Sequence, residues 1–293
     1  MNLAIVGLGS MGSKHYSVAQ QIGDINNIFL VDPVNKEAQY SSIDDLLANE
    51  SVDIAVVATP TSTHKEAAVK LLQNDIHVLI EKPIAMNIHE CSEIKKAISN
   101  SEAKAAVGHI ERFNPAIQAL IADLGDKQII NCRINRMSPF PSRIQDVGVK
   151  LDLSIHDVDL ACFITKQGIT RVATNTSTTR ASKEDSASFL FQFHNGSVVS
   201  IFTTWLSPYR ERTVKVLSDG YYYEADLLRH QVVKYECVDN SSYICRPLFV
   251  KKTNPLKDQL ESFIKYVDGG SSDFLCLVPD AINALCYTGD KKC

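Results

Sequence analysis

Residues 2–12, NLAIVGLGSMG, decide the fold of the first half of the chain. A short apolar strand runs directly into Gly7, Gly9 and Gly12, which have the spacing G-x-G-x-x-G, and a helical pattern follows over residues 11–22. Glycines so spaced suit a tight turn, a close approach of backbone to a pyrophosphate, and close packing of a helix on a strand. The stretch therefore predicts a turn and a helix N-terminus that bind the phosphates of a dinucleotide.

Asp32, a carboxylate at the end of the second predicted strand, supports this interpretation. The second predicted strand, residues 28–31, ends in Asp32, about 20 residues beyond Gly12. A carboxylate there hydrogen-bonds the ribose 2′-hydroxyl of NAD and repels the 2′-phosphate of NADP, and no arginine follows it in DPVNKEAQY. The predicted cofactor is therefore NAD, with Ser10 and Met11 of the turn as further contacts beside the glycines and Asp32.

The first 115 residues alternate apolar strands with helices. Further strands are predicted at 53–58, 77–80 and 105–107, and helices at 64–74 and 91–98. Strands separated by helices pair in parallel and are covered on both faces, which explains why these strands are continuous apolar runs. Residues 1–115 are predicted to be a doubly wound Rossmann domain of the α/β class.

Residues 116–293 have a different pattern. Helical segments at 115–124 and 154–164 lie on either side of a strand near 128–135, and a series of strands then follows without helices between them. These strands are predicted at 171–176, 187–193, 197–204, 213–217, 221–225 and 232–237. Runs of strands joined by turns indicate a mostly antiparallel open sheet in an α+β domain.

Composition excludes several classes of protein. The 293 residues are 45% hydrophobic with a net charge of −4, which gives no general attraction to nucleic acid or to an anionic membrane. Apolar runs fall far short of the roughly 20 residues of a membrane helix, so a cytoplasmic protein is expected. The eight cysteines lack C-x-x-C pairs and zinc-spaced histidines, so free thiols and no metal site are predicted.

Three polar segments follow predicted strands: ATPTSTH (58–64), EKP (81–83) and GHIERFNP (108–115). The carboxyl ends of parallel strands meet at one edge of a sheet, where ligands bind. Thr59, Pro60, Thr63 and His64 are accordingly candidate cofactor contacts, with Thr63 also a candidate helix cap. For His64 a structural role is an equal alternative, and an isolated EKP would simply be a surface turn.

The stretch LDLSIHDVDL, residues 151–160, carries a second candidate site. On a helix, Asp152 and His156 lie four residues apart on a face different from the apolar stripe. A carboxylate beside an imidazole can orient it as a base that removes a hydroxyl proton. The alternative is an aspartate that serves the helix dipole and a half-buried histidine. Asp157 and Asp159 are expected to be solvated or capping groups, with Asp159 a minor candidate for substrate contact.

These motifs, in this order, resemble the Gfo/Idh/MocA oxidoreductase family along nearly the whole chain. The resemblance implies that residues 116–293 bind substrate and form oligomers, as a homodimer or homotetramer through the open sheet. It also implies that Lys82 of the E-K-P motif lies at the active site, where an ammonium can stabilise negative charge on a reacting oxygen. Glu81 would contact the cofactor or hold Lys82 in place, and Pro83 would fix the turn.

The family's D-x-x-x-H pattern matches Asp152 and His156, which implies that His156 is the acid/base and that both residues contact substrate. Arg112 and Asn114, after the last strand of the first domain, are further substrate candidates; Arg112 is equally able to tie the two domains together. Arg133, Arg136, Arg143 and Lys150 are available for the substrate's charged groups.

Within the family the motifs look most like the nucleotide-sugar branch. That likeness implies NAD-dependent oxidation of a secondary hydroxyl on a sugar ring, such as the 3-hydroxyl of UDP-N-acetylglucosamine or a related nucleotide sugar, to a ketone. An inositol or free-sugar dehydrogenase is the alternative within the family, and reduction of an imine or a tetrapyrrole is another. A non-enzymatic NAD-binding redox sensor is the alternative of a different class, against which the intact Lys82, Asp152 and His156 argue.

Overall fold

The computed structural model describes residues 1–141 and 147–289. These residues form two compact units. The first unit comprises Met1–Ile110 and Asn254–Leu285, and the second comprises Glu111–Thr253 with the described residues after Leu285. The predicted fold class, a Rossmann domain and an α+β domain with a mostly antiparallel sheet, is confirmed.

The first 110 residues alternate strands and helices as predicted. In chain order they form β1 (Asn2–Val6), α1 (Ser10–Ala19), β2 (Asn27–Val31), α2 (Ile43–Asn49), β3 (Ile54–Val57), α3 (Thr61–Leu72), β4 (His77–Ile80), α4 (Ile88–Ser99) and β5 (Ala105–Val107). The five strands pair in parallel in the order β5-β4-β3-β1-β2. Almost every strand residue is buried, because helices cover both faces of such a sheet.

The order of these strands fixes where a ligand can bind. From β1 the chain goes to β2 on one side and then to β3 on the other side, so the connections diverge between β1 and β3. A crevice opens at the carboxyl ends of strands at such a switch point. The segments 7–12 and 58–64 follow β1 and β3 and therefore lie at this crevice.

The second unit is built on one large sheet. It contains a short 3₁₀ helix (Ile110–Phe113), α5 (Pro115–Leu124), β6 (Ile129–Met137), a π-helical turn (Lys150–Ser154), α6 (Ile155–Thr165), β7 (Ile169–Ser177), β8 (Ser186–Phe193), β9 (Val198–Thr204), β10 (Glu211–Ser218), β11 (Tyr221–Asp226), β12 (Gln231–Asp239) and β13 (Ser242–Pro247). The strand order is β13-β12-β11-β10-β6-β9-β8-β7, and among these eight described strands only β6 and β9 pair in parallel.

The two faces of this sheet have different environments. Inward residues such as Ile134, Phe191 and Val214 are buried on the face that α5 and α6 cover. Leu190 and Phe202, which alternate with inward residues, are exposed on the other face. The period-two pattern of an antiparallel sheet with one covered face is the physical cause.

The chain then returns to the first unit. Helix α7 (Pro255–Val267) contacts α1, β14 (Cys276–Leu277) pairs antiparallel with β5, and α8 (Val278–Thr288) follows. The predicted contiguous second domain, 116–293, is therefore wrong in its C-terminal part, because residues 254–285 complete the first unit. A two-residue strand has no sequence periodicity that could have revealed this pairing.

Other differences have local causes. Helix α2, capped by Ser42, was not predicted because its seven residues are too short for a periodic signal, and β13 was missed because it is exposed along its length. Thr63 does not cap α3, since the helix begins at Thr61 and the Thr63 hydroxyl donates to the Pro60 carbonyl.

The cysteine prediction needs one correction. Among the cysteines that the structure describes, six are free thiols, namely Cys91, Cys132, Cys162, Cys237, Cys245 and Cys276. Cys286 is disulfide-bonded, contrary to the expectation of free thiols throughout. Within the described ranges, no helix has both the length and the apolar character that crossing a membrane requires.

Candidate functional site

In the glycine turn after β1, Gly7 and Gly12 are tightly packed against the protein backbone, whereas the space beside Gly9 is open. Gly7 has φ +92°, and a Cβ on it would lie 2.8 Å from backbone atoms of Ala58 and Thr59. A Cβ on Gly12 would lie 1.8 Å from the Gly7 carbonyl oxygen. A Cβ on Gly9, by contrast, meets no atom within 4 Å. Packing within the chain therefore explains why positions 7 and 12 require glycine, but it leaves room for a side chain or a ligand at Gly9.

That room lies at the start of α1. Gly9 is the N-cap of this helix and no side chain caps it, so Ser10, Met11 and Gly12 present backbone N–H groups at an unblocked N-terminus. Free N–H groups and the helix dipole favour a negative charge at this position. The turn therefore fits the pyrophosphate of a dinucleotide.

Asp32 follows β2 and is held as an anion beside the turn. Its Oδ2 accepts a hydrogen bond from the Leu8 N–H (2.8 Å), and its Oδ1 accepts from the N–H groups of Val34 and Asn35 (both 2.9 Å). Burial acts to raise the pKa of Asp32, but these three N–H groups outweigh it and leave the pKa below its usual value. The charge is thus fixed next to the glycine turn, as recognition of NAD requires.

His64 joins two of the predicted loops. It is buried, its Nδ1 lies 2.9 Å from the Pro83 carbonyl oxygen, and its Nε2 lies 2.9 Å from the Thr59 carbonyl oxygen. Burial lowers the pKa of His64. Of the two roles left open by the sequence, this geometry favours the structural one: the imidazole connects the loop after β3 to the turn after β4. Thr59, Pro60 and Thr63 belong to the same loop, at the carboxyl edge of the sheet.

Glu81 is directed at a residue that the sequence did not indicate. Its Oε1 lies 2.7 Å from Nε2 of His15 in α1, and both side chains are buried. The predicted direct contact of Glu81 with cofactor is not supported, because this pair points the carboxylate into the unit. Lys82 follows immediately, at the carboxyl end of β4.

In the second unit, Arg112 and Asn114 have structural partners. Arg112 forms a bidentate ion pair with Asp159, from Nε to Oδ2 (2.9 Å) and from Nη2 to Oδ1 (2.6 Å), and both residues are almost fully buried. Asn114 caps α5 through the Ala116 N–H and donates to the Leu227 carbonyl oxygen. Substrate contact through these two polar groups is therefore not supported.

A second buried ion network lies nearby in the same unit. Arg136 forms an ion pair with Asp157, with distances of 2.7 to 2.9 Å, and its Nη1 lies 3.3 Å from Oε1 of Glu111. Arg212 Nη1 binds the same Glu111 oxygen, and Thr203 donates to Asp157. Burial opposes the ionisation of Glu111, but Arg136 and Arg212 outweigh it and lower the Glu111 pKa.

The expectation that Asp157 and Asp159 are solvated or capping groups is thus wrong. Both are buried and paired with arginines. The sequence suggested an amphipathic helix, whereas α6 is buried on several sides, so its carboxylates require internal cations. Arg136 is therefore not available for a substrate, and Arg143 lies outside the described residues.

Asp152 and His156 lie on either side of a change in helix type. Asp152 is in the π-helical turn and is partly exposed, and His156 is in the first turn of α6 and is buried. The predicted straight helix is thus widened at Asp152. Turns of this kind occur frequently at functional sites.

Asp152 also lines a cavity of about 480 Å³ in the second unit. This cavity lies where β6 and β9 end and β10 begins, and its walls include Phe140, Trp205, Arg210 and Arg212. Its size is within the usual range for small-molecule sites. Phe140 and Trp205 form an edge-to-face pair, with ring centroids 6.2 Å apart.

The sequence-predicted residues therefore fall into two groups. One group lies at the carboxyl edge of the first sheet: Gly7, Gly9, Ser10, Met11, Gly12, Asp32, Thr59, Pro60, Thr63, His64, Glu81 and Lys82. The other lies in the second unit: Arg112, Asn114, Asp152 and His156. Sequence reasoning missed His15, Glu111 and Arg212. The sequence could have indicated Arg212, because it lies two residues before the inward-facing Val214 in β10, and residues two apart in a strand face the same side.

Comparison with known proteins agrees with this organisation. Residues 1–109 match the family description "Oxidoreductase family, NAD-binding Rossmann fold", and residues 116–222 match "GFO/IDH/MocA C-terminal domain". The predicted NAD cofactor is confirmed by the first match.

Individual relatives match over much of their length. The UDP-N-acetylglucosamine 3-dehydrogenase of Acidithiobacillus ferrooxidans is 29% identical over 244 residues, which cover 80% of this chain and 77% of the relative. A solved structure of that enzyme has a TM-score of 0.88 and 25% identity, covering 98% of this chain and 95% of its own. The scyllo-inositol 2-dehydrogenase (NAD(+)) of Bacillus subtilis is 23% identical and covers 96% of this chain and 90% of the relative. The chain belongs to the Gfo/Idh/MocA family of NAD-binding oxidoreductases.

Proposed function

We propose that the protein catalyses NAD-dependent oxidation of a secondary hydroxyl on a nucleotide sugar, with the 3-hydroxyl of UDP-N-acetylglucosamine as the substrate group and a 3-keto sugar as the product. The observation that carries the proposal is the likeness, in sequence and along almost the whole fold, to an enzyme of that name. The cavity beside Asp152 supports it, because it has room for a ligand larger than a free monosaccharide.

The first unit provides for the cofactor. Gly9 and the N–H groups at the start of α1 would hold the pyrophosphate, and Asp32 would bind the ribose hydroxyls. Bound NAD supplies the hydride acceptor. Asp32 excludes NADP because two negative charges would meet at the 2′ position.

Lys82 and His156 are the proposed catalytic residues. The ammonium of Lys82 would donate a hydrogen bond to the reacting oxygen and stabilise the negative charge that grows on it. The imidazole of His156 would accept the hydroxyl proton, so that the proton passes to the protein while the hydride leaves with its electron pair. Asp152, in the widened turn before His156, would orient the sugar.

The test is the appearance of NADH with NAD and a panel of UDP-N-acetylglucosamine, UDP-glucose, glucose and myo-inositol. We expect oxidation of the nucleotide sugar and a loss of at least about 100-fold in kcat for Lys82→Met and for His156→Asn. The matched controls are the exposed Lys95→Met and His89→Asn, which should retain full activity. Full activity of His156→Asn would mean that another group is the base.

An inositol dehydrogenase is the second candidate, because the relative that acts on scyllo-inositol covers nearly the whole chain. Activity on myo-inositol and none on the nucleotide sugars would favour it. NAD binding with no turnover of any panel member would instead favour a redox sensor.

We also propose that the protein forms a dimer or tetramer through the open face of the second sheet. Leu190, Phe202 and Leu217 are exposed there, at 51%, 38% and 41%. Lys215 and Glu224 pair on the same face at 2.7 Å, so the surface combines apolar patches with a neutralised charge pair. Burial of such a face against a second copy would remove apolar area from water.

A further inference from the structure

The cavity beside Asp152 has a wall rich in arginine. Three arginines line it: Arg136, Arg210 and Arg212. Arg136 is buried and forms ion pairs with Asp157 and Glu111. Glu111 also pairs with Arg212.

Arg212 is only partly satisfied. One of its nitrogens, Nη1, binds Glu111, and its side chain remains 33% exposed. A guanidinium carries five N–H donors, and among the described residues no other acceptor binds Arg212. The remaining donors are available to a ligand in the cavity.

Arg210 is the third arginine of the wall. It is exposed, and no carboxylate within the described ranges pairs with it. Arg210 immediately precedes β10, two residues before Arg212 in the sequence. The side chains of both arginines line the same cavity.

Glu211 also lines the cavity, but it forms no ion pair with Arg210 or Arg212 among the described residues. Its carboxylate instead accepts hydrogen bonds from the side chains of Asn135, Tyr209 and Thr213. Asp152 is the other acidic residue of the cavity wall, and it is contributed by the π-helical turn rather than by the sheet.

We propose that Arg210 and Arg212 form the subsite that binds the diphosphate of a nucleoside-diphosphate sugar. Two guanidinium groups in the wall of one cavity match the two adjacent phosphates, and the planar fork of arginine binds phosphate oxygens in pairs. The aromatic pair Phe140 and Trp205 provides an apolar wall for the uncharged part of the ligand. This inference rests on the proposed function and names the residues that select nucleotide sugars over free sugars.

The test measures binding without turnover. UDP is titrated into the full chain by calorimetry, for the wild type, for Arg210→Gln and for the matched control Arg171→Gln, which removes an exposed arginine of the edge strand outside the cavity. We expect Arg210→Gln to weaken UDP binding by about 10-fold, a typical effect of one charge-assisted contact, and Arg171→Gln to leave it unchanged. Inorganic pyrophosphate should show the same dependence on Arg210.

Arg212 needs a milder variant because it also neutralises Glu111. Arg212→Lys keeps the charge but loses the fork, and we expect it to weaken UDP binding several-fold while the folding transition is retained. Equal UDP affinity of Arg210→Gln and the wild type would overturn the proposal, as would an Arg210-dependent affinity for glucuronate but not for pyrophosphate.

The proposed oxidation and the proposed subsite fail in different ways. Arg210-dependent UDP binding with no NADH from any nucleotide sugar would leave the subsite standing and reject the oxidation. NADH production from UDP-N-acetylglucosamine with an unchanged KM in Arg210→Gln would support the oxidation and reject the subsite.

Discussion

Nε2 of His15 lies 2.7 Å from Oε1 of Glu81, and this buried pair joins the first helix to the residue that precedes Lys82. Glu81 is 8% exposed, so its carboxylate relies on internal donors. Nδ1 of His15 has no hydrogen-bond partner among the described residues, so the contact with Glu81 is the polar interaction that holds the ring.

His15→Leu should therefore destabilise the protein by about 3 kcal/mol, because it leaves a buried carboxylate without its partner. His15→Gln keeps a donor at a similar distance and should cost about 1 kcal/mol. Urea unfolding followed by circular dichroism measures both values. Equal stability of the leucine variant and the wild type would contradict a structural role for this pair.

Gly9→Ala should fold normally and bind NAD at least about 10-fold more weakly, because the added methyl group meets no protein atom but occupies the space beside the helix N-terminus. Gly12→Ala should instead destabilise the fold itself, since its Cβ would clash with the Gly7 carbonyl. Fluorescence titration with NADH and thermal unfolding separate the two effects. Gly23→Ala, which also meets no atom, is the control for both.

Asp32→Asn should raise the affinity for NADP relative to NAD by about 10-fold, because it removes the charge that repels the 2′-phosphate. The asparagine oxygen can still accept from backbone N–H groups, so the loop after β2 should keep its conformation. Parallel titrations with NADH and NADPH give the ratio. An unchanged ratio would show that Asp32 does not set cofactor choice.

The stability of the protein should fall as the pH decreases below about 6.5, in part because of His64. Burial lowers the pKa of His64 in the folded state, so the unfolded chain binds a proton that the folded chain does not. Stability is then full above the unfolded pKa and decreases as the pH falls toward the lowered folded value. Urea unfolding from pH 5 to pH 8 measures this slope, and it should be smaller in His64→Gln.

Phe202→Glu should weaken self-association by at least about 10-fold if the open face of the second sheet is an interface, because it buries a charge among apolar residues. Sedimentation velocity at micromolar protein measures the change. Val34→Glu, at an exposed apolar residue of the first unit, is the control. A monomeric wild type would contradict the proposal at once.

Local patterns predicted much of the first unit. The turn at Gly7, Gly9 and Gly12 and the carboxylate Asp32 follow from steric and electrostatic rules that act over a few residues, so the amino-acid sequence is enough to place them. The same is true of the alternating strands of the second sheet, whose period of two reflects one covered face.

Partners far apart in the chain could not be predicted in this way. Glu111 and Arg212 are separated by 101 positions, and His15 and Glu81 by 66. Each side chain looks like an ordinary surface charge in its local context. Only the packing of the helices on the sheets buries these groups, and a buried charge is stable only when a partner neutralises it.

By itself, therefore, the sequence determined the fold class, the family and the NAD-binding turn, because these depend on local spacing. The tertiary structure decided which polar residues are engaged in internal ion pairs, as Arg112 and Asp159 are, and which remain open, as Arg210 is. It also decided that residues 254–285 complete the first unit, because pairing of a short strand such as β14 depends on the sheet edge that β5 offers rather than on its own two residues.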